Sequence, residues 1–116
     1  MTENEIQRAV FAHIKTRGAQ GVFAFHPMNG GIHERGRRRG INSGLGVYAG
    51  VPDVIAIKGG QVFALELKTD TGRPSEAQLL AVENIRNAGG FAAICYGLDR
   101  ALACLETWGI LKGKAA

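Results

Sequence analysis

A glycine pair at 59–60 separates two β-prone runs, DVIAIK at 53–58 and QVFALELKT at 61–69, and it constrains the fold more than any other feature of the chain. Two glycines between apolar runs suit the positive-φ turn of a tight hairpin. With these glycines as the loop, Lys58 opposes Gln61, Ile57 opposes Val62, Ile55 opposes Ala64 and Asp53 opposes Glu66. Directly opposed residues share a face, with Cβ atoms about 4.5–5.5 Å apart. Lys68, two residues beyond Glu66, falls on that face as well.

Three charges therefore gather at one end of a surface otherwise made of Ile55, Ile57, Val62 and Ala64. Two carboxylates this close repel, and one is driven towards protonation unless a cation neutralises them. A hard divalent ion resolves the conflict, and Mg²⁺ is commonly held by one or two carboxylates with waters and a substrate phosphate. Such a site suits phosphodiester hydrolysis. The metal polarises a phosphate oxygen and acidifies a water, while the adjacent lysine orients or deprotonates that water or stabilises the developing charge. A surface hairpin with an unrelated aspartate and a Glu/Lys pair is the plainer alternative, but it leaves the repulsion uncompensated on a half-buried face.

The remaining elements follow from caps and periodicity. Thr2 and Glu5 have the spacing of a capping box, and Ile6, Val10 and Ile14 recur on one helical face, which predicts a helix from about Glu3 to Arg17. Val22 to His26 forms a short β-prone run closed by Pro27. Ser75 opens a helix to about Ala88, ended by Gly89-Gly90. Phe91 to Tyr96 reads as a buried strand, and Asp99 can cap a last helix carrying Leu102, Leu105 and Trp108. The order is helix, strand, hairpin, helix, strand, helix, an α/β sandwich around a mixed sheet.

At 116 residues the chain is expected to form one domain over residues 1–116, with an ordinary hydrophobic fraction of 46%. No window approaches a membrane span, and the polar start MTENEIQR is unlike a signal peptide, so the expected location is cytoplasmic. Cys95 and Cys104 sit in apolar surroundings without metal-ligand spacing and are read as reduced core residues. Tyr48 and Trp108 are read as packing residues, with base stacking as the alternative. The net charge of +4 is concentrated at Arg35, Arg37, Arg38 and Arg39, within a glycine-rich stretch from Asn29 to Gly50. A long loop of this composition is a candidate contact for a polyanion, with a merely solvated loop as the alternative.

VPD at 51–53 and ELK at 66–68 resemble the PD-(D/E)xK nuclease signature. The wider set, Gly50-Val51-Pro52-Asp53, the upstream Asn29-Gly30 and the downstream Ser75 and Gln78, resembles the VRR-NUC branch in its freestanding, phage-type form. The resemblance extends from helix 1 to the last strand. It implies a restriction-endonuclease-like core and metal-dependent cleavage of DNA in a bacterial or phage-infected cell. Carried over by position, Asp53 and Glu66 would bind Mg²⁺, with Mn²⁺ able to substitute, and the Leu67 carbonyl would be a further ligand. Lys68 would be the catalytic lysine. Gln78 matches a glutamine beside the site, although Ser75 and Gln78 also have capping-box spacing, and Glu5 matches a helix-1 acid that can approach the metal.

Asn29 is expected near the cleft mouth, and Arg73 joins the arginines of 35–39 as a candidate for DNA contact. Freestanding members resemble resolvases of branched DNA such as four-way junctions, where paired cuts imply a homodimer. A non-catalytic DNA-binding module of the same fold is the competing reading, and a nucleotide phosphohydrolase is a third.

Overall fold

In a computed structural model, described here for residues 1–28 and 44–113, Gly59 and Gly60 take φ values of 58° and 77° and close the hairpin. Both turn residues being left-handed matches the twist of the flanking strands. Strands β2 (Val54–Lys58) and β3 (Gln61–Lys68) pair antiparallel, with Lys58 opposite Gln61, Ile57 opposite Val62 and Ile55 opposite Ala64, the expected register. Asp53 lies one residue before β2.

Strand β1 (Phe23–Phe25) adds antiparallel to β2, and β4 (Phe91–Tyr96) adds parallel to β3. The sheet order β1-β2-β3-β4 thus follows the chain order. A parallel pair needs a crossover, and α2 (Glu76–Asn87) supplies it between β3 and β4. The architecture is α/β with a restriction-endonuclease-like core. Among the described residues, no helix is long and apolar enough to cross a membrane.

Helix α1 (Glu3–Arg17) has the predicted bounds, and the side chains of Thr2 and Glu5 cap it reciprocally. Its Ile6 and Val10 pack with Val54, Ala56, Phe63, Leu65 and Leu67 from one sheet face, and with Leu102 and Leu105 from α3 (Leu98–Thr107). This cluster is the main core. The opposite face carries a smaller one, Ala64, Val82 and Ala92, under α2. The apolar face expected around Ile55, Ile57, Val62 and Ala64 is therefore the thinner of the two, and Ile57 and Val62 remain exposed.

Two local expectations need correction. Asp99 does not cap the last helix. It lies in the first turn of α3, whose N-cap is Gly97 at φ 85° with no side-chain hydrogen bond. Tyr48 is not a packing residue, being 43% exposed with its hydroxyl accepting a hydrogen bond from Asn84. Trp108 does pack, at 5.7 Å from Phe63 ring to ring, and both cysteines are free beside the main core. Asn29, Arg35, Arg37, Arg38 and Arg39 lie outside the described residues.

Candidate active site

The hairpin register brings Glu66 and Lys68 to one end of the α2 face, and both are buried there, at 1% and 6% exposure. Asp53 joins them from the start of β2, where its Oδ2 accepts the Leu67 N–H at 2.9 Å. This bond fixes the aspartate against β3. It also locates the Leu67 carbonyl, because the N–H and C=O of one strand residue point to the same side. His26 binds the Asp53 carbonyl through Nδ1 at 2.7 Å, tying the end of β1 to the same residue.

Two helix N-termini converge on this spot. From α2, Gln78 closes a capping box with Ser75, its Oε1 accepting the Ser75 N–H, while its Nε2 donates to Glu66 Oε2 at 3.2 Å. The amide thus closes the cap and touches Glu66 at the same time. From α1, Glu3 places Oε2 3.5 Å from Lys68 Nζ, which is also 3.8 Å from Glu66 Oε2. Each helix contributes a partial positive end that favours the carboxylates.

Glu5, expected to approach the metal, does not join this group. Its Oε1 accepts the Thr2 N–H at 2.8 Å, and these Thr2 hydrogen bonds hold its carboxyl below the usual range. Glu3 lies in the group instead. The capping box already held the signal: a side chain turned back onto the N-cap cannot also reach forward, which leaves Glu3 as the free acid of the first turn.

Glu3, Asp53 and Glu66 can bring one carboxylate oxygen each within 4.8 Å of one another, the only such acidic group among the described residues. Three carboxylates face one ammonium. Burial pushes the Glu66 carboxyl up to about 9, and the neighbouring Asp53 adds to the shift against the opposing pull of Lys68. Its Oε1 is buried with no hydrogen-bond partner. A buried polar atom left unpaired is costly, and an oxygen-seeking cation would satisfy it. The donor set of hard carboxylate oxygens fits Mg²⁺ or Mn²⁺.

Gly50, quoted in the GVPD string but given no role by the sequence, positions α2. At φ 79° a Cβ there would lie 2.5 Å from the Ala77 carbonyl group and 2.7 Å from the Gln78 nitrogen. Only glycine lets the two backbones approach so closely, and the contact sets Gln78 against Glu66. Arg73 is exposed in the segment between β3 and α2, beside the site but in none of its contacts.

No family model matches the sequence, and no curated protein does. Among solved structures, a chain described as a VRR_NUC domain protein superposes with a TM-score of 0.74 at 21% identity, covering 93% of this chain and 88% of that one. The likeness is one of fold, and it spans nearly the whole of both chains.

Proposed function

We propose that this chain is a Mg²⁺-dependent, structure-specific DNA endonuclease with its active site at Asp53, Glu66 and Lys68. The observation that carries the reading is the buried Glu66, whose unpartnered Oε1 lies in a cluster of three acids and one lysine. Such a group is stable as a bare surface feature only if Glu66 keeps a proton. A nuclease-like fold around it, as in the VRR_NUC domain protein, supports the assignment.

Asp53, Glu66 and the Leu67 carbonyl would hold the ion, with Glu3 rather than Glu5 as the further acid. A bound divalent ion supplies charge to a phosphate oxygen and acidity to a water. The chain's own residues do the rest. Gln78 fixes Glu66 Oε2 by hydrogen bond, which leaves Oε1 for the cation. Lys68, nearly buried, is held between Glu66 and Glu3 and can orient the attacking water or stabilise charge gathering on the phosphate. Water adds at phosphorus, the P–O bond to the leaving oxygen breaks, and that oxygen takes up a proton.

The substrate in this reading is branched DNA such as a four-way junction, cut by a homodimer whose two sites make paired incisions. Asn29, Arg35, Arg37, Arg38, Arg39 and Arg73 would contact the backbone. The chain would be a single nuclease domain acting in the cytoplasm. The direct test incubates labelled four-way junction, flap and linear duplex with Mg²⁺ or chelator and reads products on a denaturing gel. Cleavage of the junction in Mg²⁺ alone is expected; binding without cleavage in any metal would favour the non-catalytic module.

A further inference from the structure

A cavity of about 300 Å³ lies between the 44–52 segment and α2, lined by Tyr48, Pro52, Ala81, Asn84 and Ile85 among others. Its walls are apolar and carry no charged side chain. The polar groups at its edge are the Tyr48 hydroxyl and the Asn84 amide, which bond to each other at 2.6 Å. That bond uses one Asn84 N–H, and leaves the amide oxygen and the tyrosine O–H proton to other partners. Such a cavity is wrong for a phosphate or a metal ion. It suits a flat, neutral ring with polar atoms at its rim.

Two chain connections tie this cavity to the acidic cluster. Pro52 in its wall directly precedes Asp53. On α2, Gln78, Ala81 and Ile85 follow one helical face, so Ala81 lies about 4.5 Å along the axis from the glutamine that holds Glu66. The cavity and the cluster are therefore neighbours along α2 and across the Pro52–Asp53 link. The half-exposed Tyr48 stands at the cavity with its ring uncommitted to the core.

Resting on the nuclease reading of the cluster, we infer that this cavity receives one unpaired nucleobase next to the scissile phosphate, with Tyr48 as its stacking wall. A base inside an intact duplex is stacked on both sides and cannot enter. Unpaired bases at a branch, bulge or flap can, because their unstacking is already done. The cavity would therefore select DNA by the presence of a free base near the cut, whatever its identity, since every base offers a π-face.

The test measures binding, so that it does not depend on cleavage. Fluorescence anisotropy in EDTA compares two labelled duplexes, each with one unpaired nucleotide, one bearing a base there and the other abasic. The wild type should bind the base-bearing duplex roughly tenfold tighter, the scale of one base–aromatic stack. Tyr48→Ala should bring that ratio near one, and Tyr48→Phe, which keeps the ring and loses the Asn84 bond, should restore most of it. Ala81→Leu, filling the cavity, should act like Tyr48→Ala; if it fails to fold, the Tyr48 pair decides alone. Equal binding of the two duplexes by the wild type, or a ratio that survives Tyr48→Ala, overturns the proposal. Mg²⁺-dependent cleavage of the four-way junction is read in parallel: its absence removes the nuclease assignment, while the binding ratio still judges the cavity.

Discussion

The two faces of the sheet differ in what they bury. On the α1 and α3 side, Val54, Ala56, Phe63, Leu65 and Leu67 belong to a cluster of twelve buried residues. On the α2 side the buried apolar cluster is Ala64, Val82 and Ala92, and Glu66 and Lys68 occupy the next buried places along β3. Further out on that face, Phe23, Phe25, Ile57 and Val62 are exposed. One face supplies stability, and this frees the other to hold charges that no stable core would accept. Adjacent residues of β3 thus differ in surroundings: Leu65 and Leu67 pack in the main core, while Glu66 and Lys68 join the acidic cluster.

The contrast is broken most sharply by substituting neighbours. Leu67→Ala should cost about 2–5 kcal/mol, the range for a leucine deleted from a packed core, and activity should fall with the folded fraction. Lys68→Ala should leave a folded protein whose Mg²⁺-dependent cleavage is slower by roughly 10²–10³-fold, as for loss of an electrostatic group at a transition state. Urea unfolding and single-turnover cleavage, run on both variants, separate the two outcomes. A Lys68→Ala enzyme cutting at the wild-type rate would remove the lysine from the mechanism.

Gly50→Ala reaches the thin face through the backbone. The new Cβ meets the first turn of α2, and the left-handed φ is itself unfavourable, so a loss of more than about 1 kcal/mol is expected. Cleavage should slow beyond what the stability loss explains, because Gln78 shifts with the helix. Full activity in a destabilised protein would show that the close approach serves packing alone.

The pH dependence of stability sharpens the comparison without touching the core face. Glu66 moves from 4.5 to about 9 on folding, so between these values the folded chain holds a proton that the unfolded chain has lost. The stability that Glu66 contributes without metal is then fully present below pH 4.5 and is lost as the pH rises towards 9. Glu66→Gln should flatten this decline, and so should Mg²⁺, which must displace the proton to bind. Thermal melts across this window, with EDTA and with Mg²⁺, give the slopes. A slope unchanged in Glu66→Gln would mean that another group carries the proton.

The smallest effect is expected from Gln78→Glu. The acceptor for the Ser75 N–H is kept, so stability with Mg²⁺ should change by less than the ~1 kcal/mol typical of a lost cap. The donor to Glu66 is replaced by a like charge, and cleavage should slow. Wild-type cleavage by this variant would leave Gln78 with its capping role only.

Local signals carried most of the fold. The hairpin register follows from two glycines and a period of two, and both capping boxes follow from three-residue spacings. Asp53, Glu66 and Lys68 were legible for the same reason, since one turn brings them together. What depends on tertiary docking was not legible. Whether Glu3 or Glu5 reaches the site depends on how Ile6 and Val10 seat α1 against the sheet. The role of Gly50 requires knowing that α2 crosses over it, and the exposure of Tyr48 reflects an unfilled space that no periodicity reveals. Asp99 has the right chemistry for a cap, yet the backbone enters α3 through Gly97.

The strand order that follows the chain order also bears on how the molecule folds. Asp53 and Glu66 meet when a two-residue turn closes, and hairpins of this kind form on a scale of about 1–10 μs, before β1 and β4 have to dock on the pair. Their repulsion is therefore met early on the route. A cation that relieves it should lower the folding barrier more than it raises the unfolding one. Stopped-flow refolding in Mg²⁺ and in EDTA should shift the folding limb of the chevron and leave the unfolding limb nearly in place. The residue pair proposed to hold the ion would then also help set the rate at which the chain reaches its native state.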